Sequence, residues 1–216
     1  PSGGRIMNGT YTRMIQKNFF NGIEQVCEVG LDSLFTGESV GSGEYPPPQT
    51  GTYVFGGANI PITNGDIPSN LLGNTKKEGI RILFEGVDNW DRLVVAFNDK
   101  FSTRNFPGAG TKGGGLRSYE SQVRLKGKKP DLAATPGTSN HGWGMAIDIS
   151  TADSFGASGK KEDRYAAAFA TEEYKWLLAN APKYGWHHPS WAQKDGSNPE
   201  PWHWELANPS SYIKKD

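Results

Sequence analysis

Two short segments, far apart in the chain, constrain the fold of this sequence more than any other feature. The first, residues 139–149, reads Ser-Asn-His-Gly-Trp-Gly-Met-Ala-Ile-Asp-Ile, and the second, residues 200–205, reads Glu-Pro-Trp-His-Trp-Glu. Over residues 144–149 and 202–206, large apolar side chains alternate with small or polar ones, and a period of two is the pattern of a β-strand with one buried face. We therefore expect two neighbouring strands that turn their polar side chains toward one shared site.

The alternation assigns a face to each side chain. In a strand over residues 144–149, Asp148 shares its face with the small Ala146, and the apolar side chains at the odd positions point into a core. The second strand turns His203 and Glu205 to one face and its tryptophans to the other. Glu205 is therefore expected to orient the His203 imidazole, since ligating histidines usually donate their other nitrogen to a carboxylate or carbonyl.

The residue types at this site predict a metal centre. His141, Asp148 and His203 supply two imidazoles and a carboxylate. A catalytic zinc ion usually takes three such protein ligands and leaves the fourth position to water. Other divalent ions can also occupy this ligand set.

Glu200 lies three residues before His203, between Pro199 and Pro201. The flanking prolines place it on a turn that enters the strand and not on a helix, so the arrangement differs from the helical His-Glu-x-x-His motif. Because three ligands are already supplied, Glu200 remains free to act as a base.

These residues resemble the signature of the zinc D-alanyl-D-alanine carboxypeptidase family, the VanY-like peptidoglycan peptidases. That signature is Ser-x-His-x-x-Gly-x-Ala-x-Asp followed by Glu-Pro-Trp-His, and every position of both parts is present. The likeness extends from about residue 64 to the end of the chain and includes Arg117-Ser118-Tyr119 with Gln122. Residues 1–63 bring no comparable likeness.

The resemblance implies a role for each residue. Glu200 would take a proton from a zinc-activated water and pass it to the leaving amine, while Arg117 would steady the substrate carbonyl and its oxyanion. Ser139 and Gln122 would bind substrate. Trp202, beside the base, is expected to line the cleft.

Plainer alternatives, in which the side chain has only a structural role, apply to three of these residues. Glu200 can instead orient His203, and the Ser139 hydroxyl can bond its own backbone turn. Arg117 can form a surface salt bridge. His187 and His188 are left out of the ligand set, because adjacent residues on an extended segment point to opposite faces and at most one reaches the metal.

The rest of residues 64–216 is predicted to form the helices and strands that support the site. A helix is predicted over residues 89–101, capped by Asp88 or Asn89, with a shorter helix capped by Ser118 and another that follows Thr171. The fold class expected is α+β: a small antiparallel sheet with flanking helices that carries the zinc site. The resemblance implies the same fold, which D,D-peptidases share with Hedgehog signalling domains.

Residues 1–63 are predicted to form an N-terminal extension or accessory segment, separate from a catalytic domain over residues 64–216. Apolar spacing over residues 15–26 favours a helix, although the aromatic and β-branched content leaves a strand open. Residues 37–65 are rich in Gly, Pro, Ser and Thr and are predicted to be a linker or a long surface loop.

The composition excludes several classes of binding partner and of metal site. The chain has 23 basic and 23 acidic residues and a formal net charge of zero, so no overall field favours nucleic acid or an anionic membrane. No apolar run approaches the roughly 18 residues of a membrane helix. The single cysteine, Cys27, excludes an intrachain disulfide framework and a thiolate-rich metal site.

The function implied by the resemblance is that of a zinc metallopeptidase that hydrolyses an amide bond in the peptidoglycan stem peptide. The bond is either the terminal D-alanyl-D-alanine bond or an internal one. The implied location is the bacterial cell envelope or the extracellular space, or the wall as reached by a phage lysin or virion module. A non-catalytic zinc-containing module that binds the wall or a protein is the alternative. The pattern predicts no oligomeric state.

Overall fold

The computed structural model describes residues 18–20, 23–25, 45–76, 79–102, 106, 114–149 and 161–216. The chain forms two compact units, Pro1–Gly43 and Glu44–Asp216. Among the described residues, no helix has the length and apolar character needed to cross a membrane.

The smaller unit contains an antiparallel pair of short strands, β1 (Asn18–Phe20) and β2 (Ile23–Gln25). The helix favoured by the apolar spacing is therefore wrong over these residues, and the strand alternative holds. Asn-Gly separates the two segments in the sequence. This pair is a strong hairpin signal, and here it outweighs the helical spacing.

In the larger unit, β3 (Thr50–Tyr53) and β4 (Ile60–Thr63) form an antiparallel hairpin, and β10 (Ile213–Lys215) pairs with the other edge of β3. The linker prediction is thus wrong for these two strands. Pro61 is compatible with a strand here because β4 is an edge strand. Alternate residues of β3 are buried, so the polar composition concealed a two-residue period.

A second hairpin, β5 (Leu72–Asn74) and β6 (Arg81–Leu83), continues directly into helix α1 (Phe84–Lys100). Helix α1 begins five residues before the predicted start, so Asp88 and Asn89 lie inside it and do not cap it. The start is set by strand geometry, because the Leu83 N–H donates to the Gly144 carbonyl (2.9 Å). The predicted helix is confirmed, and its buried apolar side chains are Trp90, Leu93, Val94 and Phe97.

The remaining helices are α2 (Tyr119–Lys128), α3 (Lys161–Ala170) and α4 (Glu172–Asn180). The caps predicted for α2 and α4 are confirmed: the Ser118 hydroxyl accepts from the Ser121 N–H (3.3 Å), and the Thr171 hydroxyl accepts from the Tyr174 N–H (3.2 Å). Such caps satisfy N–H groups that have no partner within the helix.

The central sheet consists of β7 (Ala146–Asp148), β8 (Trp186–His187) and β9 (His203–Leu206). The strand order is β7-β9-β8, and both pairings are antiparallel. One face of this sheet packs into the core with completely or almost completely buried tryptophans, which are Trp143, Trp186 and Trp204. Small antiparallel sheets with flanking helices confirm the predicted α+β class.

Candidate metal centre

The register of β7 against β9 brings the two distant segments together. Asp148 lies directly opposite His203, and Ala146 lies opposite Glu205. All four side chains share one face of the sheet, as the alternation predicts, and the neighbouring Ile147 and Trp204 fill the core on the other face.

His141 reaches the site from a short 3-10 helix, Asn140–Trp143, that precedes β7. The Ser139 hydroxyl caps this helix by accepting from the His141 N–H (3.3 Å). Gly144 ends the helix with φ +69°, and a Cβ there would lie 3.1 Å from the Leu83 nitrogen. This left-handed backbone strains any L side chain, which explains the glycine at this position of the signature.

Three donor atoms converge at one point. The Asp148 Oδ1 atom is 3.1 Å from His141 Nε2 and 3.1 Å from His203 Nδ1, and the two nitrogens are 3.3 Å apart. Tetrahedral ligands about 2.0–2.1 Å from a zinc ion are separated by about 3.3 Å. Among the described residues, this trio is the one group of His, Cys, Asp and Glu side chains arranged closely enough to hold a metal ion.

The other nitrogen of each imidazole faces an acceptor. His141 Nδ1 lies 2.8 Å from the Gly115 carbonyl oxygen, and His203 Nε2 lies 2.9 Å from Glu205 Oε1. Acceptors in these positions favour the neutral tautomers that carry a hydrogen on the outer nitrogens and turn the lone pairs of the inward nitrogens toward a metal. The predicted contact between Glu205 and His203 is therefore present.

Burial and the neighbouring charges shift the pKa values of these groups. Burial lowers the pKa of His141. Burial by itself raises the pKa of Asp148, but the adjacent His141 and His203 hold it well below its ordinary value. Burial by itself lowers the pKa of His203, but hydrogen bonds to Asp148 and Glu205 raise it to about 9. Asp148 is therefore a carboxylate at neutral pH.

Arg117 lies beside the ligands and not on the open surface. Its Nη2 atom donates to Asp148 Oδ2 (3.1 Å), and its side chain is 18% exposed. Its backbone N–H also donates to the His141 carbonyl (3.0 Å). The two oxygens of Asp148 thus face different partners, Oδ1 the histidines and Oδ2 the guanidinium.

Glu200 lies on a turn at the entrance to β9, with its side chain 15% exposed. Its Oε2 atom is 4.0 Å from His203 Nδ1, and its Oε1 atom accepts from Asn198 Nδ2 (3.0 Å). Burial raises the pKa of this carboxyl to about 7. A group with a pKa near the working pH can both take and return a proton.

The predicted substrate-binding residues occupy different surroundings. Ser139 caps the helix that carries His141, as the plainer alternative holds. Gln122 is buried, and its amide bonds to Asn64 Oδ1 (3.0 Å), the Arg117 carbonyl (3.2 Å) and the Gly137 N–H (2.9 Å). These internal bonds give Gln122 a supporting role. Trp202 is half-buried. The predicted substrate contacts of these three residues stay predictions.

Several contacts of the site have no signal in the sequence pattern. Asn198 bonds to the Glu200 carboxylate, and the ring of Trp191 lies 4.9 Å from that of His203, centroid to centroid. His188 Nε2 donates to the Glu200 carbonyl (3.0 Å). Asparagines in turns and partly buried tryptophans are common, so neither residue type marks a site.

The comparisons with known proteins agree with the motifs. The family VanY, described as D-alanyl-D-alanine carboxypeptidase, matches residues 113–208. This segment includes both parts of the signature and confirms the resemblance to VanY-like proteins. No curated protein matches the chain.

Three solved structures are similar to the chain. A mutant of the vancomycin-resistance D,D-pentapeptidase VanY, in complex with Zn(II), is 23% identical with a TM-score of 0.45, over 66% of this chain and 83% of that one. VanYB in complex with D-alanine-D-alanine is 22% identical with a TM-score of 0.44, over 65% and 78%. The LdcB LD-carboxypeptidase is 20% identical with a TM-score of 0.40, over 79% and 84%.

Proposed function

We propose that the VanY-like part of this chain is a zinc metallopeptidase that hydrolyses an amide bond in the stem peptide of bacterial peptidoglycan. One observation carries the chemistry: the inward nitrogens of His141 and His203 and the Asp148 carboxylate converge beside the buried carboxyl of Glu200. The family match over residues 113–208 supports the substrate.

The three ligands fit zinc in number, atom type and spacing. A zinc ion held there would lower the pKa of a water molecule and polarise the scissile carbonyl. Gly115 and Glu205 hold the outer nitrogens of the two histidines, so both rings are fixed before a metal arrives.

Glu200 serves as the general base and then as the general acid. Its Oε2 atom lies on the side of the ligand cluster, where it can accept a proton from the attacking water. The same oxygen then delivers that proton to the nitrogen of the departing amine. General acid-base transfer of this kind contributes about 100- to 10,000-fold to a rate.

Arg117 has two tasks in this proposal. Its Nη2 atom pairs with Asp148 Oδ2 and orients that ligand. A guanidinium carries five N–H donors in a planar fork, so other donors are available for the scissile carbonyl as it becomes an oxyanion.

The site of action proposed is the bacterial wall, reached within the cell envelope, from outside, or as part of a phage lysin or virion. The deciding experiment is mass spectrometry of purified peptidoglycan fragments incubated with the zinc-loaded protein, with and without a chelator. Glu200→Ala serves as the catalytic control, and Glu172→Ala, at an exposed helix position, serves as the matched surface control.

We expect products from the zinc-loaded protein and from Glu172→Ala, none after chelation, and a rate about 100- to 10,000-fold lower with Glu200→Ala. Loss of one terminal alanine would identify a carboxypeptidase, and new amino termini inside the stem would identify an endopeptidase. The absence of any product from metal-loaded protein would overturn the proposal and favour a zinc-containing binding module.

A further inference from the structure

We propose that Asn198 is a positioning residue that orients the Glu200 carboxylate for proton transfer. This inference rests on the proposed function of Glu200. Its basis is the hydrogen bond from Asn198 Nδ2 to Glu200 Oε1 (3.0 Å), which no feature of the signature specifies.

The contact distinguishes the two oxygens of the carboxylate. Oε1 accepts from Asn198, whereas Oε2 lies 4.0 Å from His203 Nδ1, on the side of the metal ligands. The side chain is only 15% exposed, so solvent replaces a lost partner poorly. Asn198 therefore selects the orientation in which Oε2 faces the reacting water.

Backbone contacts fix the position of Glu200 in the chain but not the orientation of its carboxylate. Pro199 and Pro201 restrict the chain on both sides of Glu200. The Glu200 N–H donates to the Ala192 carbonyl (2.8 Å), and its carbonyl accepts from the His203 N–H (3.0 Å). The freedom that remains is rotation of the Glu200 side chain, and the bond from Asn198 restricts it.

Asn198 is itself held in place. Its backbone N–H donates to the Trp191 carbonyl (3.0 Å), and its Nδ2 also lies 3.4 Å from the Leu132 carbonyl. Both partners of Nδ2 are acceptors, so the amide must turn its NH₂ group toward them. The backbone of residue 196 also packs closely against this segment, since a Cβ at Gly196 would lie 2.2 Å from the Trp191 carbonyl oxygen.

Two substitutions distinguish a positioning role of Asn198 from a purely structural role in the loop. Asn198→Ala removes the donor, whereas Asn198→Asp keeps the shape but sets a second carboxylate against Glu200. A positioning role predicts that kcat falls by about 10- to 100-fold in Asn198→Ala with KM changed less than about twofold, because misplacement of a reacting group by about 1 Å costs up to about 100-fold. The kcat of Asn198→Asp should fall at least as far.

If Asn198 only shapes the loop, the order is reversed, and the isosteric Asn198→Asp retains more activity than Asn198→Ala. The exposed neighbour Ser197 provides the matched control, and Ser197→Ala should keep the kcat and KM of the wild type. Activity of both Asn198 variants within twofold of the wild type would overturn the inference.

A double-mutant cycle tests whether Asn198 acts through Glu200. Adding Asn198→Ala to Glu200→Ala should cause no further loss, because residues that act as one unit are not additive. A further tenfold loss would show an independent role and overturn the inference.

A readout without catalysis keeps this test separate from that of the proposed function. In crystals of zinc-loaded Asn198→Ala, we expect the Glu200 carboxylate to rotate away from the orientation described above, while the three metal ligands stay in place. An unchanged carboxylate would refute the positioning role even if the wild type cleaves peptidoglycan. Rotation of the carboxylate with no cleavage by the wild type would instead refute the peptidase proposal alone.

Discussion

Replacing Glu205 should weaken metal binding although Glu205 is not a ligand. Its Oε1 atom lies 2.9 Å from His203 Nε2, and its side chain is 12% exposed, so solvent screens the contact little. Hydrogen bonds to charged groups contribute about 1.5–3 kcal/mol, against about 0.5–1.5 kcal/mol for neutral ones. Glu205→Gln keeps an acceptor but loses the charge, a difference of about 1–1.5 kcal/mol, or about a five- to tenfold rise in the zinc Kd.

Glu205→Ala removes the acceptor and should raise the Kd by about 10- to 100-fold, as is typical for the outer partners of metal-binding histidines. Competition against a fluorescent zinc chelator measures these affinities, and circular dichroism checks that each variant is folded. Glu172→Gln, on an exposed turn of α4, should leave the Kd unchanged. A Kd within twofold of the wild type for Glu205→Ala would refute the reasoning.

Three further predictions concern the scaffold and the site. Gly144→Ala should lower the free energy of unfolding by at least about 1–2 kcal/mol in urea titrations, because φ is +69° there; an unchanged midpoint would contradict this. Burial lowers the pKa of His188 to about 4 from 6.5, so between these values only the unfolded chain takes up the proton. The stability of the wild type relative to His188→Gln should then fall by about 1.4 kcal/mol per pH unit as the pH drops from about 6.5 toward 4, and a pH-independent difference would exclude this. Arg117→Lys should retain less than about a tenth of kcat/KM, since an ammonium cannot bridge Asp148 and a substrate oxygen as a planar fork does; full activity in steady-state assays would show that only the charge matters.

The convergence of the three candidate ligands was predictable because the pattern that indicates it is local and periodic. Residue type predicted His141, Asp148 and His203 as metal ligands, and the two-residue period placed Asp148 and His203 on facing strands. The structure shows the same arrangement, with Asp148 opposite His203 in the sheet. The helix caps at Ser118 and Thr171 were equally predictable, because a cap depends on neighbours within one turn.

Other features depended on contacts that a linear pattern does not contain. The start of α1 follows from the bond between Leu83 and Gly144, which are distant in sequence. Residues 50–63 have the composition of a loop, yet β3 becomes a strand because β4 and β10 pair with it. The sequence contains no signal for the proposed role of Asn198, because that role depends on where the Glu200 carboxylate lies.

The order of the strands also bears on how the chain is made. Residues 203–215 contribute β9, the middle strand of the central sheet, and β10, which pairs with β3 near the start of the larger unit. Neither sheet can be completed on the ribosome until this part has emerged, and closing such long loops is a slow step of folding. During synthesis, β7, β8 and one edge of β3 therefore remain unpaired until residues 203–215 emerge, and this interval is when the nascent chain depends most on protection from aggregation.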